Sequence, residues 1–146
     1  MGLVASCSQR IVLIALLSCD SKAVLLCCPA DAGVWWPVRL PVPDAGSVKG
    51  VVRRWAERAT VGAVTRGTVT GRLRVSGRGG GPCEADVVIL KAAGPVDARL
   101  VDVSARWWPV AGLAEAGVGL FPAELGLLVE GYVQGWIPDG VITLDA

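Results

Sequence analysis

Apolar positions along this chain change period several times, and each change marks a different element. Segments 11–17, "IVLIALL", and 23–28, "AVLLCC", are continuous β-prone apolar runs joined by the polar "CDSK". They read as the two strands of a hairpin, the first of them buried. "PADAG" then breaks the chain before "VWWPV", and a proline-rich loop follows. Over 47–59 the period becomes that of a helix, with Val48, Val51, Val52, Trp55 and Ala59 on one face and Ser47 placed as an N-cap. The opposite side of that helix is basic. From Val61 the period is two: "VTRGTVTGRLRVSG" turns through "RGGGP" into "CEADVVILKA", a second hairpin. "RLVDVSARWWPV" reads as another strand and "AGLAEAG" as a short helical turn. Segment 122–136 has Pro122 in its first turn and Leu125, Leu128, Val129, Tyr132, Val133 and Trp136 three and four apart, which predicts a second helix. "IPDG" ends it and "VITLDA" closes the chain. No internal repeat or linker interrupts this α+β order.

Composition narrows the picture. With 146 residues, 53% hydrophobic and 18% charged, the chain has the material for one packed domain, expected over 10–146 behind a tail at 1–9. The net charge of +1 provides no bulk field for nucleic acid or an anionic membrane, so any basic site is local. Mean hydropathy is positive, yet the longest apolar run, "IVLIALLSC" at 11–19, falls far short of the roughly 20 residues of a spanning helix. No transmembrane segment and a cytoplasmic location are the expectation. Five cysteines, Cys7, Cys19, Cys27, Cys28 and Cys83, show no CxxC pairing and read as free thiols. The absence of histidine removes the Cys/His zinc patterns and any Ser-His-Asp or Cys-His nucleophile arrangement. At the N-terminus, "MGLVAS" fits myristoylation of Gly2 with Cys7 placed for a second acyl chain, and Arg10 before the apolar run is compatible with a short lipoprotein signal. A buried first strand over 11–17 is the preferred account of that run.

The order of elements, two strands, a loop-helix-loop, a hairpin, a strand ending in tryptophans and a C-terminal helix, resembles a Nudix hydrolase over residues 10–136. "IVLIALLSCDSKAVLLC" resembles the opening strand pair, "GVWWPVRLPVPDAGS" the W-x-x-P-G-G-x-V-E-P-G-E-S approach to the catalytic helix, and "ARWWPVAGLAEA" the late strand and turn. The resemblance implies a Nudix-like α/β/α sandwich, with a mixed β-sheet between two helices. The box itself departs in chemistry. Against G-x5-E-x7-R-E-U-x-E-E-x-G-U, Arg54 matches the arginine, while Gly46, Trp55, Arg58 and Ala59 stand where acids belong. Glu57 is the one acid in the helical part. The family's acids hold Mg²⁺, and a hard divalent cation needs several oxygen ligands including carboxylates. No catalytic residue, metal ligand or cofactor is therefore assigned here.

Three readings follow. In the first, this is a catalytically inactive Nudix-like domain that binds a nucleotide, a diphosphate-containing ligand or a protein partner. Its candidate ligand residues are Arg54 and Arg58, four apart on a helix, with Arg53, Lys49 and Trp36. The same cations also read as a solvated helix face. The tryptophans Trp35, Trp36, Trp107 and Trp108 read either as stacking surfaces for a base or as core closure. In the second reading the chain is an active hydrolase of nucleoside diphosphates linked to another moiety, using Mg²⁺ and acids from elsewhere, such as Glu84, Glu124 or Glu130. In the third it is an unrelated small β-rich structural domain. "GRGGGP" lacks the GK[ST] ending and following helix of a phosphate-binding loop and reads as a flexible hairpin turn.

Overall fold

The first strand, β1 (Arg10–Leu17), lies between partners on both edges and is covered on both faces, which is why it is apolar without alternation. A computed structural model of the chain describes residues 10–28, 33–43, 45–59, 64–76, 82–98 and 101–145. β1 turns into β2 (Ala23–Leu26), antiparallel with Leu16 opposite Leu25, so the opening hairpin forms as its sequence predicts. Two further strands follow, β3 (Val34–Trp35) and β4 (Val38–Val42). The helix α1 (Val48–Ala59) comes next, and then the long hairpin of β5 (Val64–Ser76) and β6 (Pro82–Ala92). The chain continues through β7 (Arg106–Pro109), a 3₁₀ turn at Leu113–Glu115 and β8 (Gly119–Leu120). It finishes with the helix α2 (Leu125–Gln134) and β9 (Gly140–Thr143).

Among the described residues, the main sheet runs β7-β2-β1-β6-β5-β9, with β4 also on β1. It is mixed: β1 runs parallel to β6 and β9 parallel to β5, while the remaining pairs are antiparallel. β3 and β8 form a separate parallel pair.

The period of two along β1 assigns its side chains to two cores. Ile11, Leu13, Ala15 and Leu17 pack with Val87 and Ile89 of β6 against Leu125, Leu128 and Val129 of α2. Val12, Ile14 and Leu16 pack with Val88 and Leu90 against Val52 and Ala56 of α1. The two helices thus cover opposite faces of one mixed sheet, and the chain is an α/β/α sandwich, as expected from its sequence. Each fully buried leucine or isoleucine contributes roughly 1.5–3 kcal/mol, so both layers are integral to stability. No helix among the described residues is long and apolar enough to cross a membrane.

Ser47 caps α1 as its position predicts, its Oγ accepting the Gly50 N–H at 3.0 Å. Three elements differ from the sequence reading. The proline-rich segment read as loop contains β4, where Pro41 lies opposite Ile11; β1 supplies the partner, and a proline is tolerated where no ladder donor is required. The strand expected across "RLVDVSARWWPV" is confined to Arg106–Pro109, because its pairing is with the four-residue β2 alone. Helix α2 starts at Leu125 rather than Pro122. It stops at Gly135, before "IPDG", through a left-handed glycine (φ 79°) whose N–H donates to the Gly131 and Tyr132 carbonyls. Gly2, Cys7 and the glycine turn at 77–81 lie outside the described residues.

Candidate functional site

Where α1 ends, its last turn faces β4 across an open cleft of about 580 Å³. The sequence dictates which side chains reach it. Trp55, Arg58 and Ala59 come from the helix, Trp36, Arg39 and Leu40 from the β4 segment, Cys27 from the end of β2, and Val101 and Asp102 from the β6–β7 connection. Cleft volumes of about 300–1,000 Å³ are typical of small-molecule sites.

The wall beside β2 is tied together by hydrogen bonds. Cys27 and Trp36 exchange both backbone bonds at 2.7 Å, which places the Trp36 ring beside the cleft. That ring meets Phe121 at 4.1 Å between centroids, and the Arg39 guanidinium lies 5.4 Å from its centre. An indole holding a guanidinium in this way restricts where the cation can point. On the other side, Cys28 N–H donates to Ser104 Oγ at 3.1 Å, and the Ser104 hydroxyl and N–H both donate to Asp102 Oδ1, at 2.6 and 2.7 Å. These bonds fix the carboxylate in place. They also hold it below its usual pKa, the hydroxyl contributing most, so Asp102 is an ionised acceptor at neutral pH. Cys27, only 8% exposed, is pushed the other way: burial, and then the Asp102 charge, raise its thiol to about 11. It is a neutral lining group.

Of the candidate ligand residues named from sequence, the cleft brings together Trp36 and Arg58, with Trp55 and Ala59 of the apolar stripe beside them. Arg54, one turn before Arg58, lies on the same flank of α1 and is exposed; Lys49 and Arg53 are exposed on the other flank, away from that edge. Glu57 is exposed and does not line the cleft. Trp35 and Trp108 meet edge to face at 5.0 Å against the α2-side core, and Trp107 packs into the α1-side core. Two cleft residues were missed. Arg39 alternates with Val38 and Leu40, a period-two signal hidden by the neighbouring prolines. Asp102 belongs to a D-x-S turn motif, but nothing local says which surface that turn will meet.

The geometry resembles known proteins in fold. No family model and no curated protein sequence matches the chain. Solved structures do: a Caenorhabditis elegans Ap4A hydrolase in a binary complex superposes with a TM-score of 0.65 at 15% identity, over 88% of this chain and 97% of that one. A NUDIX-family hydrolase from Clostridium perfringens gives 0.64 at 9% identity, over 88% and 97%. The Escherichia coli dihydroneopterin triphosphate pyrophosphohydrolase gives 0.63 at 12%, over 86% and 95%. The chain has the Nudix fold. An unrelated β-rich domain is thereby set aside, and α1 of this Nudix-fold protein is the helix over which the resemblance to the box was drawn from sequence.

The divalent ion that the fold implies does not fit the residues found here. A Mg²⁺ site draws on one or two carboxylates with octahedral oxygen ligation. The cleft of this Nudix-fold chain offers Asp102, one of whose oxygens already accepts two bonds, facing a space shared with Arg39 and Arg58. Among the described residues no group of three or more His, Cys, Asp or Glu side chains converges on a metal-sized space. The acids considered for an active enzyme lie elsewhere. Glu124 accepts the Asp145 N–H at 2.7 Å, Glu130 accepts the Ala114 N–H at 2.9 Å, and Glu84 lines a separate hollow with Arg72, Arg74 and Asp145.

Proposed function

We propose that this chain is a Nudix-fold binding module that takes a nucleotide-type, diphosphate-containing ligand in the α1–β4 cleft, without metal-dependent hydrolysis. The observation that carries the reading is the joint placement of Arg39 and Arg58 on one cleft that also holds an indole, Trp55, and a single carboxylate. Guanidinium groups meet phosphate oxygens in bidentate forks, and their charge is permanent, so they replace part of the neutralisation that an ion would supply. They cannot activate water, because they have no coordination site for it and no basic lone pair at neutral pH. Arg54 extends the same positive edge. Trp36 serves by anchoring Arg39, and the Trp55 indole offers an apolar surface for a base. The names of similar solved structures, an Ap4A hydrolase and a dihydroneopterin triphosphate pyrophosphohydrolase, support a ligand of this class.

Calorimetric titration of a nucleoside diphosphate in EDTA tests the reading. Wild type is expected to bind, the Arg39→Ala/Arg58→Ala double variant to bind at least about tenfold more weakly, and added salt to weaken wild type by screening the contacts. Equal affinity in the two proteins, or no heat with either, would reject it.

A further inference from the structure

We propose that Phe121, which does not line the cleft, is a positioning residue for it: acting through the Trp36 ring, Phe121 sets the direction in which Arg39 meets a bound phosphate. The inference rests on the binding reading above and adds to it a residue that packs on the other side of the sheet.

The sheet separates two cores, and the walls of the cleft follow that division. Cys27 and Val38 are buried in the α1-side core, with Leu40, Trp55 and Val101 packed against it. Trp36 is the one hydrophobic lining residue that packs against the α2-side core instead, where Phe121 packs as well. Its backbone is held from two directions. Cys27 exchanges both hydrogen bonds with Trp36 at 2.7 Å, and the preceding residue, Trp35, accepts the Phe121 N–H at 3.0 Å where it pairs with Leu120 of β8. That second bond brings Phe121 to the indole. The two rings meet at 4.1 Å between centroids with 31° between their planes, and the Arg39 guanidinium lies 5.4 Å from the centre of the same indole. Phe121, Trp36 and Arg39 thus form an unbroken series of contacts from the α2-side core to a cation on the cleft.

An exposed arginine samples many rotamers, and gripping a phosphate removes that freedom at a cost in affinity. A guanidinium resting on an indole has lost part of it before the ligand arrives. Stacking occupies the planar face of the guanidinium and leaves its N–H edge for the anion. The arrangement works only while the indole itself stays in place, and Phe121 is the ring against which it rests. Without that ring the indole can turn about its own side-chain torsions, and Arg39 keeps its charge but loses its direction. Removing Phe121 therefore weakens binding while the lining residues and the net charge of the cleft stay the same.

The experiment is a double-mutant cycle, with ADP titrated in EDTA into wild type, Phe121→Leu, Arg39→Ala and the double variant. Leucine keeps an apolar side chain against the core and removes the ring. Phe121→Leu is expected to bind ADP about three- to tenfold more weakly than wild type, the range of one partly exposed cation–π contact. Added to Arg39→Ala, it is expected to cause no further loss, because the guanidinium through which Phe121 acts is gone. A merely structural role would lower affinity by the same factor in both backgrounds, and that result would overturn the assignment. Unchanged affinity in Phe121→Leu would overturn it too. In either case a weaker Arg39→Ala leaves the binding reading standing, whereas no heat from ADP with wild type rejects that reading and this inference with it. Should Phe121→Leu not fold, Trp36→Leu runs through the same cycle, and an equal loss with and without Arg39 would overturn the series of contacts at its middle member.

Discussion

Cys27 shows how one residue's chemistry is set by its surroundings. A thiol ordinarily titrating near 9.0 is raised to about 11 because its charged form would have to sit in a buried wall beside Asp102. Between those values the unfolded chain gives up the thiol proton while the folded chain keeps it. The unfolded state then binds fewer protons, so stability falls as pH rises from about 9 to 11 and is fully retained below 9. Urea unfolding at pH 8.5, 10 and 11 is expected to show a steeper decline for wild type than for Cys27→Ala. Parallel declines would mean that this thiol is not held neutral by the fold. Iodoacetamide at pH 8 is likewise expected to label the exposed Cys19 ahead of Cys27, since reagent access and thiolate formation both oppose reaction at the buried site.

At the scale of elements, α2 illustrates a conflict between local preference and packing. Helix propensity alone favours alanine over glycine, by up to about 1 kcal/mol in a helix interior and less in a first turn such as that of Gly126. Gly126, however, faces the 3₁₀ turn, and a Cβ there would lie 2.7 Å from Ala114 Cα and 2.8 Å from its nitrogen. Those are backbone atoms, held in turn by the Ala114 N–H bond to Glu130 one turn along the helix. Gly126→Ala is therefore expected to destabilise by about 1–3 kcal/mol in urea unfolding, as overpacking does. A neutral or stabilising result would show that the turn can move away freely. The same contact explains why Glu130 is a structural acid: its carboxylate serves a backbone donor on the α2 side of the sheet.

For the whole molecule, the sheet is a partition. α1 and the cleft lie on one face, while Glu124 and Glu130 project from the helix that covers the other. The cleft itself offers one carboxylate, Asp102, in a space shared with Arg39 and Arg58, fewer oxygen ligands than a Mg²⁺ centre requires. Nucleoside triphosphates and nucleotide sugars incubated with the protein and Mg²⁺ or Mn²⁺ are expected to release no phosphate above background. Metal-dependent release that disappears in Glu57→Gln would overturn this expectation and restore the box helix as a catalytic element.

Wherever a local rule governs, the sequence by itself determined the outcome. The apolar run of β1, the Ser47 cap and the one-sided apolar stripe of α1, and the long β5–β6 hairpin follow from side-chain period and turn chemistry, which neighbouring residues carry. The resemblance in element order was legible in the same way. Tertiary structure decided the rest. β4 exists because β1 offers it an edge, against the prolines in its own sequence. β1 and β6 run parallel, a pairing between segments about seventy residues apart that no local signal records. Arg39 and Asp102 became cleft residues, and Lys49 and Arg53 did not, because a site is made where elements distant in sequence converge. The convergence is fixed by the burial of two cores on opposite faces of a sheet, a property of the assembled chain that no single segment contains.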